Sequence, residues 1–554
     1  MREIPVSNPE PRLPKLCGAD IELGNFVLGM ARRDGTCHEA CRAVLREIHG
    51  LPVANSHSYS CSSSSWQPAV YGGRRDERDQ ACTASYSQDW GRKFLPRNGG
   101  CAYIDLDHLE LCIPEVTSAW DHVAAWHAML RIAREALAAA NGDQPSGRKI
   151  QVLVNNSDGQ GNSYGSHLNF LISRRAWDNI FVRKLHQLQY LASFQVSSLV
   201  ITGQGKVGAE NGAPETAYQI SQRADFFKTL IGSQTTFDRP IVNSRDETLC
   251  GRAGAVRDGA SPARLHSIFF DNTLAHVPCL LKVGLMQMIL AMIEGDCANP
   301  ALLLDDPVDA VVRFSHDPTL EARAALASGR EATAVELQLL FLEEAQRFAA
   351  GGGFDGIVPR SAEILTLWED TLTKLKARNL AALARRLDWV IKLVGIERAM
   401  DRRPGLDWNS SEIKFLDHLY SSLDGDGLYW AYEKSGLVER VVSDEQIQAL
   451  ADNPPPDTRA WTRAMLLRLA PPESVNSVDW DSITFKLRGR SFWPAYRTVA
   501  LADPRGFTKA ETESAFRDME NLEDVLDALE VSPDEATADS WPETKNYQHY
   551  LPAN

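Results

Sequence analysis

The stretch Gly18-Ala19-Asp20-Ile21-Glu22-Leu23-Gly24 places two carboxylates two positions apart among apolar residues. Alternate residues of a β-strand point to the same face, so a strand over residues 16–24 would present Asp20 and Glu22 side by side. On an edge strand both carboxylates would be solvated. The apolar neighbours Ile21 and Leu23 instead indicate an interior strand, where unpaired carboxylates are costly, and so favour metal ligation.

Two later segments repeat this spacing of polar groups. Strand alternation in Tyr103-Ile104-Asp105-Leu106-Asp107 predicts that Tyr103, Asp105 and Asp107 share one face, and Glu110 follows shortly after. In Ser166-His167-Leu168-Asn169 it predicts the same for His167 and Asn169. Strands of this kind can floor a Mg²⁺–nucleotide site, because hard cations take several oxygen ligands and phosphates supply the rest.

Three arginine-containing segments follow, and they suit the binding of a triphosphate or a carboxylate. They are Gln222-Arg223-Ala224-Asp225, Arg239-Pro240-Ile241-Val242-Asn243-Ser244-Arg245-Asp246-Glu247 and Ala263-Arg264-Leu265-His266. Guanidinium groups match phosphate and carboxylate oxygens bidentately. Structural ion pairs with Asp225 and Asp246 are the alternative for each arginine.

Composition excludes several classes of protein. The net charge of −15 over 554 residues argues against a nucleic-acid partner, which would need a basic face. No stretch reaches the roughly 18 consecutive apolar residues of a membrane helix, and the longest, residues 283–293, reads as a buried helix. Residues 1–15 lack an apolar signal core, so we expect a cytoplasmic protein with no membrane partner.

Two further motifs resemble known binding sites, one for zinc and one for a dinucleotide. Cys37, Cys41, His57 and Cys61 could hold zinc, or could be chance spacing in a Ser- and Cys-rich loop. Gly203-Gln204-Gly205-Lys206-Val207-Gly208 fits a dinucleotide-binding pattern literally, but a lone match is weak evidence and we reject that interpretation.

The chain is expected to divide into three parts. Residues 1–404 form a large catalytic domain, in which 25–97 is a long mobile loop insertion, residues 405–506 form a small C-terminal domain, and residues 507–554 form an acidic tail. Helical patterns are predicted near 119–140, 174–195 and 219–231. In the tail, Leu522, Val525, Leu526 and Leu529 form an amphipathic stripe that either packs on its own domain or is solvated, or else occupies a substrate groove.

The order and wording of these segments resemble the Pup ligase and Pup deamidase/depupylase family from about residue 17 to 487. The resemblance is carried by Tyr103-Ile104-Asp105, His108-Leu109-Glu110, Asn155-Asn156-Ser157-Asp158-Gly159, Tyr164-Gly165-Ser166-His167 and Asn243-Ser244-Arg245-Asp246-Glu247. It implies an α+β fold: a glutamine synthetase-like, curved and mostly antiparallel β-sheet cradle packed against helices, with a small C-terminal domain.

The resemblance also implies roles for individual residues. Asp105 matches the family's catalytic aspartate, and Arg245 matches an arginine at the phosphates. The expected metal ligands are Asp20, Glu22, Tyr103, Glu110 and His167. The expected nucleotide- or phosphate-binding residues are Asn169, Arg223, Arg245, Arg264 and His266. The implied cofactors are Mg²⁺ and ATP, or ADP plus phosphate. Two positions depart from the family: Leu168 and His276 stand where the family has Glu.

The family has two branches that differ in chemistry. The ligase phosphorylates the side-chain carboxylate of the C-terminal Glu of Pup, a small protein modifier, and a target lysine attacks. The deamidase converts the C-terminal Gln to Glu and cleaves Pup from lysine-linked conjugates. A long loop before the aspartate marks the deamidase, so the 85 positions between Asp20 and Asp105 favour a deamidase/depupylase. We expect the protein to be a monomer. The alternatives are a Pup ligase, another carboxylate–amine ligase, or a nucleotide-binding pseudoenzyme.

Overall fold

The computed structural model describes residues 12–31, 35–52, 90–247, 249–250, 259–488, 495–517 and 521–529. Residues 53–89, on which most of the expected loop insertion falls, lie outside the described residues, as do His57 and Cys61 of the zinc hypothesis. Most of the predicted acidic tail, after residue 529, also lies outside them.

A sheet of eight antiparallel strands forms the floor of the molecule. Its order is β12-β7-β1-β5-β4-β3-β2, with β6 pairing the second half of β1. The strands are β1 (Cys17–Leu28), β2 (Leu51–Pro52), β3 (Trp90–Phe94), β4 (Cys101–Asp105), β5 (His108–Cys112), β6 (Lys149–Leu153), β7 (Ser166–Ser173) and β12 (Pro262–Ser267). The predicted interior strand is therefore β1, which lies between β5 and β7.

Helices cover one face of this sheet and bury its apolar side chains, including Ile21, Leu23 and Leu168, in one large core. The first ten helices are α1 (Thr36–Glu47), α2 (Ala119–Gly142), α3 (Arg174–Asp178), α4 (Leu185–Thr202), α5 (His276–Glu294), α6 (Pro307–Ser315), α7 (Ala334–Ala350), α8 (Ser361–Lys376), α9 (Leu380–Leu383) and α10 (Asp388–Arg402). Helix α5 is apolar and long enough to cross a membrane, yet its most apolar window is completely buried, as expected for a core helix.

Short strand pairs connect these helices. They are β8 (Lys206–Val207) with β9 (Tyr218–Gln219), β10 (Phe227–Gly232) with β11 (Arg239–Asn243), and β13 (Arg323–Ala325) with β14 (Glu331–Thr333). The helix predicted over 219–231 is therefore wrong, because this stretch holds the end of β9, one 3₁₀ turn and most of β10. The pattern 174–195 is two helices, α3 and α4, separated by a π-helical turn.

The C-terminal part of the chain contributes to two hydrophobic cores. Helices α11 (Ser411–Tyr420), α12 (Leu428–Lys434) and α13 (Asp444–Asp452) bury their apolar side chains in the large core. A second core instead packs the end of α14 (Ala460–Leu469), the sheet β15–β16–β17 (Val475–Val478, Ser482–Leu487 and Ala495–Ala500) and α16 (Leu522–Ala528) against β3, β4 and β5 of the large sheet. Helix α15 (Lys509–Arg517) packs on α14 and α16. The boundary at residue 405 therefore does not separate the two hydrophobic cores.

The described parts of 25–97 are ordered structure and not a loop. Residues 25–28 complete β1, α1 packs on β1 and α2, and β2 pairs with β3. The polar composition of the segment as a whole concealed α1, whose Ala40, Val44 and Leu45 lie on one buried face. In the tail, Leu522, Val525 and Leu526 are buried in the second core, so the amphipathic stripe packs on its own domain.

Candidate active site

Strand register brings the predicted polar residues together. Across β1 and β5, Glu22 lies opposite Glu110, and across β1 and β7, Asp20 lies opposite His167. Tyr103 of β4 lies opposite Glu110, which extends the row by one strand. Because alternate residues face the same side of a sheet, these side chains share the concave face, away from the buried helices.

Two groups of side chains could each hold a metal ion. Asp20, Glu110 and His167 form one, and Glu22, Asp105 and Glu110 form the other; in each, the potential ligand atoms lie within 4.8 Å of one another. Glu110 belongs to both groups. Carboxylate oxygens with one imidazole suit a divalent cation, and the two groups fit Mg²⁺ through their carboxylates.

Glu110 has little to neutralise its charge in the protein alone. Burial raises the pKa of Glu110 well above its ordinary value, and the nearby carboxylates Glu22, Asp105 and Asp20 raise it further. Its hydrogen-bond donor is the Tyr103 hydroxyl, 2.7 Å from Oε1. Burial likewise raises the pKa of Tyr103, so its phenol keeps its proton. A cation among these carboxylates would supply the missing positive charge.

Glu22 differs from Glu110 although the two face each other. Burial alone would raise its pKa, but His167, Arg239 and His108, together with the Gly165 amide, outweigh burial and lower it. The Gly165 N–H donates to Glu22 Oε2 at 2.8 Å, and His167 Nε2 lies 3.6 Å from the same oxygen. Glu22 is therefore held as a carboxylate, the form that binds a cation.

His167 is also prepared as a ligand. Burial lowers its pKa, and the neighbouring carboxylates Glu22 and Asp20 oppose this shift without reversing it. Among the described residues its Nε2 has no hydrogen-bond partner, although the atom is buried. A buried polar atom without a partner is costly, and a cation between Asp20, Glu110 and His167 would satisfy it. The site therefore fits the divalent metal that the sequence predicts.

The expected nucleotide-binding residues lie at the β7–β12 end of the sheet. Asn169 accepts hydrogen bonds at Oδ1 from Arg264 NH1 at 2.8 Å, and His266 Nδ1 lies 2.9 Å from the same oxygen. Its Nδ2 donates to Asp20 Oδ2 at 3.3 Å, which connects this group to the metal ligands. Arg264 also pairs with Glu247 at 3.1 Å, and Arg245 lies 3.6 Å from the same carboxylate. All of them except Arg223 line one cavity with the carboxylates.

Arg223 is the exception, because it does not line the cavity, and its contact with the nucleotide stays a prediction. Its side chain is completely buried, and its NH1 donates to the Phe270 carbonyl at 3.0 Å, while its Nε and NH2 have no hydrogen-bond partner among the described residues. Burial lowers its pKa to about 9. Its proximity to Glu22 and His167 gives it an electrostatic influence on the site without access to the cavity.

Arg239 was not among the expected nucleotide-binding residues. It lines the cavity, and although its NH2 donates to the Ser163 carbonyl, its buried NH1 has no hydrogen-bond partner among the described residues. The sequence contained one signal, since Arg239 begins the same arginine-rich segment as Arg245. Sequence spacing could not show whether Arg223 or Arg239 lines the cavity beside Glu22.

Asp105 ends β4 at the edge of the carboxylate cluster and is partly exposed to the cavity. Asp107 does not share its strand face as predicted, because β4 ends at Asp105 and Asp107 lies in the following turn.

Both departures from the family lie outside the cavity. Leu168 is buried in the large core, and His276 begins α5 with its ring 4.3 Å from that of His127.

The cavity has a volume of about 1560 Å³ and one end lies against the C-terminal part of the chain. There Glu115 accepts hydrogen bonds from Arg459 Nε at 2.7 Å and from Arg463 NH2 at 2.5 Å. Glu115 and Arg459 line the cavity, as do Asp20, Glu22 and Asp105. This volume is large enough for a nucleotide together with the end of a second, extended substrate.

Sequence comparison relates the chain to enzymes of one family. A family model described as "Pup-ligase protein" matches residues 17–484. The Pup deamidase/depupylase of Mycobacterium tuberculosis (strain ATCC 25618 / H37Rv) is 34% identical over 490 residues, covering 87% of this chain and 89% of the relative. The Pup–protein ligase of Acidimicrobium ferrooxidans is 33% identical over 471 residues, covering 83% and 96%.

Structural comparison gives the same relationship. The crystal structure of the complex between the prokaryotic ubiquitin-like protein Pup and its ligase PafA aligns with a TM-score of 0.69 at 24% identity, over 89% of each chain. The structure of the Pup ligase PafA with ADP aligns with a TM-score of 0.66 at 26% identity, over 83% of this chain and 97% of that one. The predicted α+β, glutamine synthetase-like fold is thereby confirmed.

Proposed function

The chain belongs to the Pup-ligase family, and we propose that it hydrolyses the side-chain amide or isopeptide bond at the C-terminal Gln or Glu of a Pup-like modifier. The proposed cofactors are Mg²⁺ and ATP, or ADP plus phosphate. The observation that carries the proposal is the grouping of Glu22, Asp105 and Glu110 within 4.8 Å. It brings the expected catalytic carboxylate against the expected metal ligands.

The proposed roles follow from position and charge. Asp20, Glu22, Glu110 and His167 would hold Mg²⁺, with Tyr103 orienting Glu110 through their hydrogen bond. The metal would neutralise phosphate charge and polarise the bond under attack. Arg239, Arg245 and Arg264 would bind the phosphates from the other side of the cavity. Asp105 would either attack the amide carbon itself as a nucleophile, or activate a water molecule for that attack as a general base.

The second candidate is Pup ligation. The relative from Acidimicrobium ferrooxidans that is named a ligase is 33% identical, nearly as similar as the deamidases. The same carboxylate cluster would then assist attack by a target lysine. The 85 positions between Asp20 and Asp105 support the hydrolase, because the family's deamidases carry a long insertion here. We further propose a cytoplasmic, monomeric enzyme whose partners are the modifier and its lysine-linked conjugates.

One experiment separates these functions. The purified protein is incubated with Mg²⁺ and ATP and one of three substrates: Pup ending in Gln, a lysine-linked Pup conjugate, or Pup ending in Glu with a target protein. Mass spectrometry is expected to show Gln converted to Glu and the conjugate cleaved. Formation of a new conjugate from Pup ending in Glu would establish the ligase. Nucleotide binding without any of these products would establish the pseudoenzyme.

A further inference from the structure

The turn between β4 and β5 has an unfavourable backbone next to the proposed catalytic aspartate. Asp105 and His108 are paired across the two strands, so Leu106 and Asp107 are the two central residues of the turn. Both have positive φ, 45° and 73° respectively. Such turns strongly favour Asn-Gly or Asp-Gly, and a leucine in the left-handed region is strained. The surrounding structure must hold this conformation.

The side chains of Asn25 and His38 contact the turn between β4 and β5. Asn25 of β1 donates from Nδ2 to the Asp107 carbonyl at 3.0 Å and accepts the Leu109 N–H at 3.0 Å. His38 of α1 places Nδ1 2.5 Å from Asp107 Oδ1. The first contact holds the turn's backbone, and the second places the imidazole against the side chain at the turn's second position.

Helix α1 is itself tied to the sheet, so it can support the turn. The Asn25 Nδ2 also donates to the Cys37 carbonyl at 2.9 Å, next to His38. Thr36 Oγ1 accepts the Val27 N–H at 2.7 Å and donates to the Val27 carbonyl at 3.0 Å. The start of α1 and the second half of β1 therefore form one unit against which the turn is braced.

We propose that His38 is a positioning residue for Asp105, acting through Asp107 and the strained turn. The inference rests on the proposed function in taking Asp105 as the catalytic carboxylate. Asp105 is the residue immediately before Leu106, so relaxation of Leu106 to a right-handed conformation moves the end of β4 and its carboxylate. Small displacements of a reacting group cost large factors in rate, whereas the proposed nucleotide-binding residues lie on β7, on β12 and in the segment of β11, and stay in place.

The test removes the His38 side chain, both in the wild type and in a variant whose turn sequence favours the observed backbone. His38→Ala is expected to lower kcat about tenfold with little change in KM for ATP. His38→Asn, which retains a donor near the position of Nδ1, should keep most of the activity. In a Leu106→Asn/Asp107→Gly background, whose turn sequence favours this backbone by itself, adding His38→Ala should change kcat less than about twofold. Glu39→Ala, exposed on the same helix, is the matched control.

A second readout does not depend on turnover. Amide hydrogen exchange of residues 105–109 should be faster in His38→Ala than in the wild type, and unchanged in Glu39→Ala. Equal exchange and equal kcat in His38→Ala and the wild type would overturn the positioning role. So would an equal loss in the Asn-Gly background, which would show that His38 acts elsewhere. If the wild type turns over no Pup substrate, the proposed function fails, and the exchange data alone decide whether His38 holds the turn.

Discussion

Glu22 and Glu110 face each other across β1 and β5, yet their pKa values move in opposite directions. Both are buried, and burial alone raises the pKa of each. Glu22 is next to His167 and Arg239 and accepts the Gly165 N–H, whereas Glu110 faces three other carboxylates. The protein's own groups therefore stabilise the negative charge of Glu22, whereas the charge of Glu110 needs a bound cation.

The first prediction concerns metal binding. Mg²⁺ should stabilise the wild type, because a ligand that binds only the folded state adds about 2.7 kcal/mol at about 100 times Kd. Glu110→Gln removes an anionic ligand shared by both groups and should abolish most of this gain. Thermal unfolding with and without Mg²⁺ measures the difference. Glu135→Gln, exposed on α2, should behave like the wild type. An undiminished Mg²⁺ effect in Glu110→Gln would place the metal elsewhere.

The second prediction concerns the nucleotide. Glu22→Gln and Asp20→Asn should each weaken Mg²⁺-dependent ATP binding, since both remove hard oxygen ligands. Arg239→Ala should weaken it as well, because its unpartnered NH1 lies at the cavity. Calorimetry provides the affinities. Unchanged affinity in both carboxylate variants would remove the metal assignment from β1.

The third prediction concerns the contact between Glu115 and α14. Burial alone would raise the pKa of Glu115, but Arg463 and Arg459 outweigh it and lower the pKa from 4.5 to about 2. This shift corresponds to about 3 kcal/mol of stability at neutral pH. Because the folded-state pKa is depressed, the contribution is present above about pH 4.5 and is lost as the pH falls through about 2.

Glu115→Gln should therefore unfold more easily than the wild type at pH 7, and the difference should shrink as the pH is lowered below about 4.5. Urea unfolding at a series of pH values measures it. A difference that is constant with pH would show that lost packing, and not the charge, accounts for the effect. Glu135→Gln again serves as the exposed control.

The fourth prediction concerns the C-terminal helix α16. Leu526 is completely buried in the second core, so Leu526→Ala should lower the free energy of unfolding by about 2–5 kcal/mol. Glu523→Ala, exposed on the same helix, should have almost no effect. Chemical unfolding of both variants gives the comparison. Equal stabilities would mean that α16 contributes nothing to the second core and would reopen the substrate-groove interpretation of the tail.

Most of the candidate site could be predicted from short-range patterns in the sequence. Strand alternation placed Asp20, Glu22, His167 and Asn169 correctly, because one strand's register determines which of its side chains face the cavity. By the same alternation Leu168, which lies between His167 and Asn169, faces away from them, and the structure buries Leu168 in the core.

Features that depend on distant parts of the chain could not be obtained in this way. Which of Arg223 and Arg239 lines the cavity depends on where their two segments fold, one at Phe270 and the other at Ser163, and sequence spacing does not encode this. The brace on Asp107 joins residues 25 and 38 to a turn near residue 107, and no short-range pattern connects them. Helix α1 was missed because the polar residues around it dominate the composition of 25–97.

The most direct test of the account is the effect of Asp105→Asn on hydrolysis of Pup ending in Gln, measured by mass spectrometry beside ATP binding measured by calorimetry. The substitution preserves size and removes both basicity and nucleophilicity. We predict that hydrolysis is lost, that ATP binding is largely retained, and that Asp143→Asn, exposed after α2, is fully active. Hydrolysis at the wild-type rate in Asp105→Asn would contradict the account.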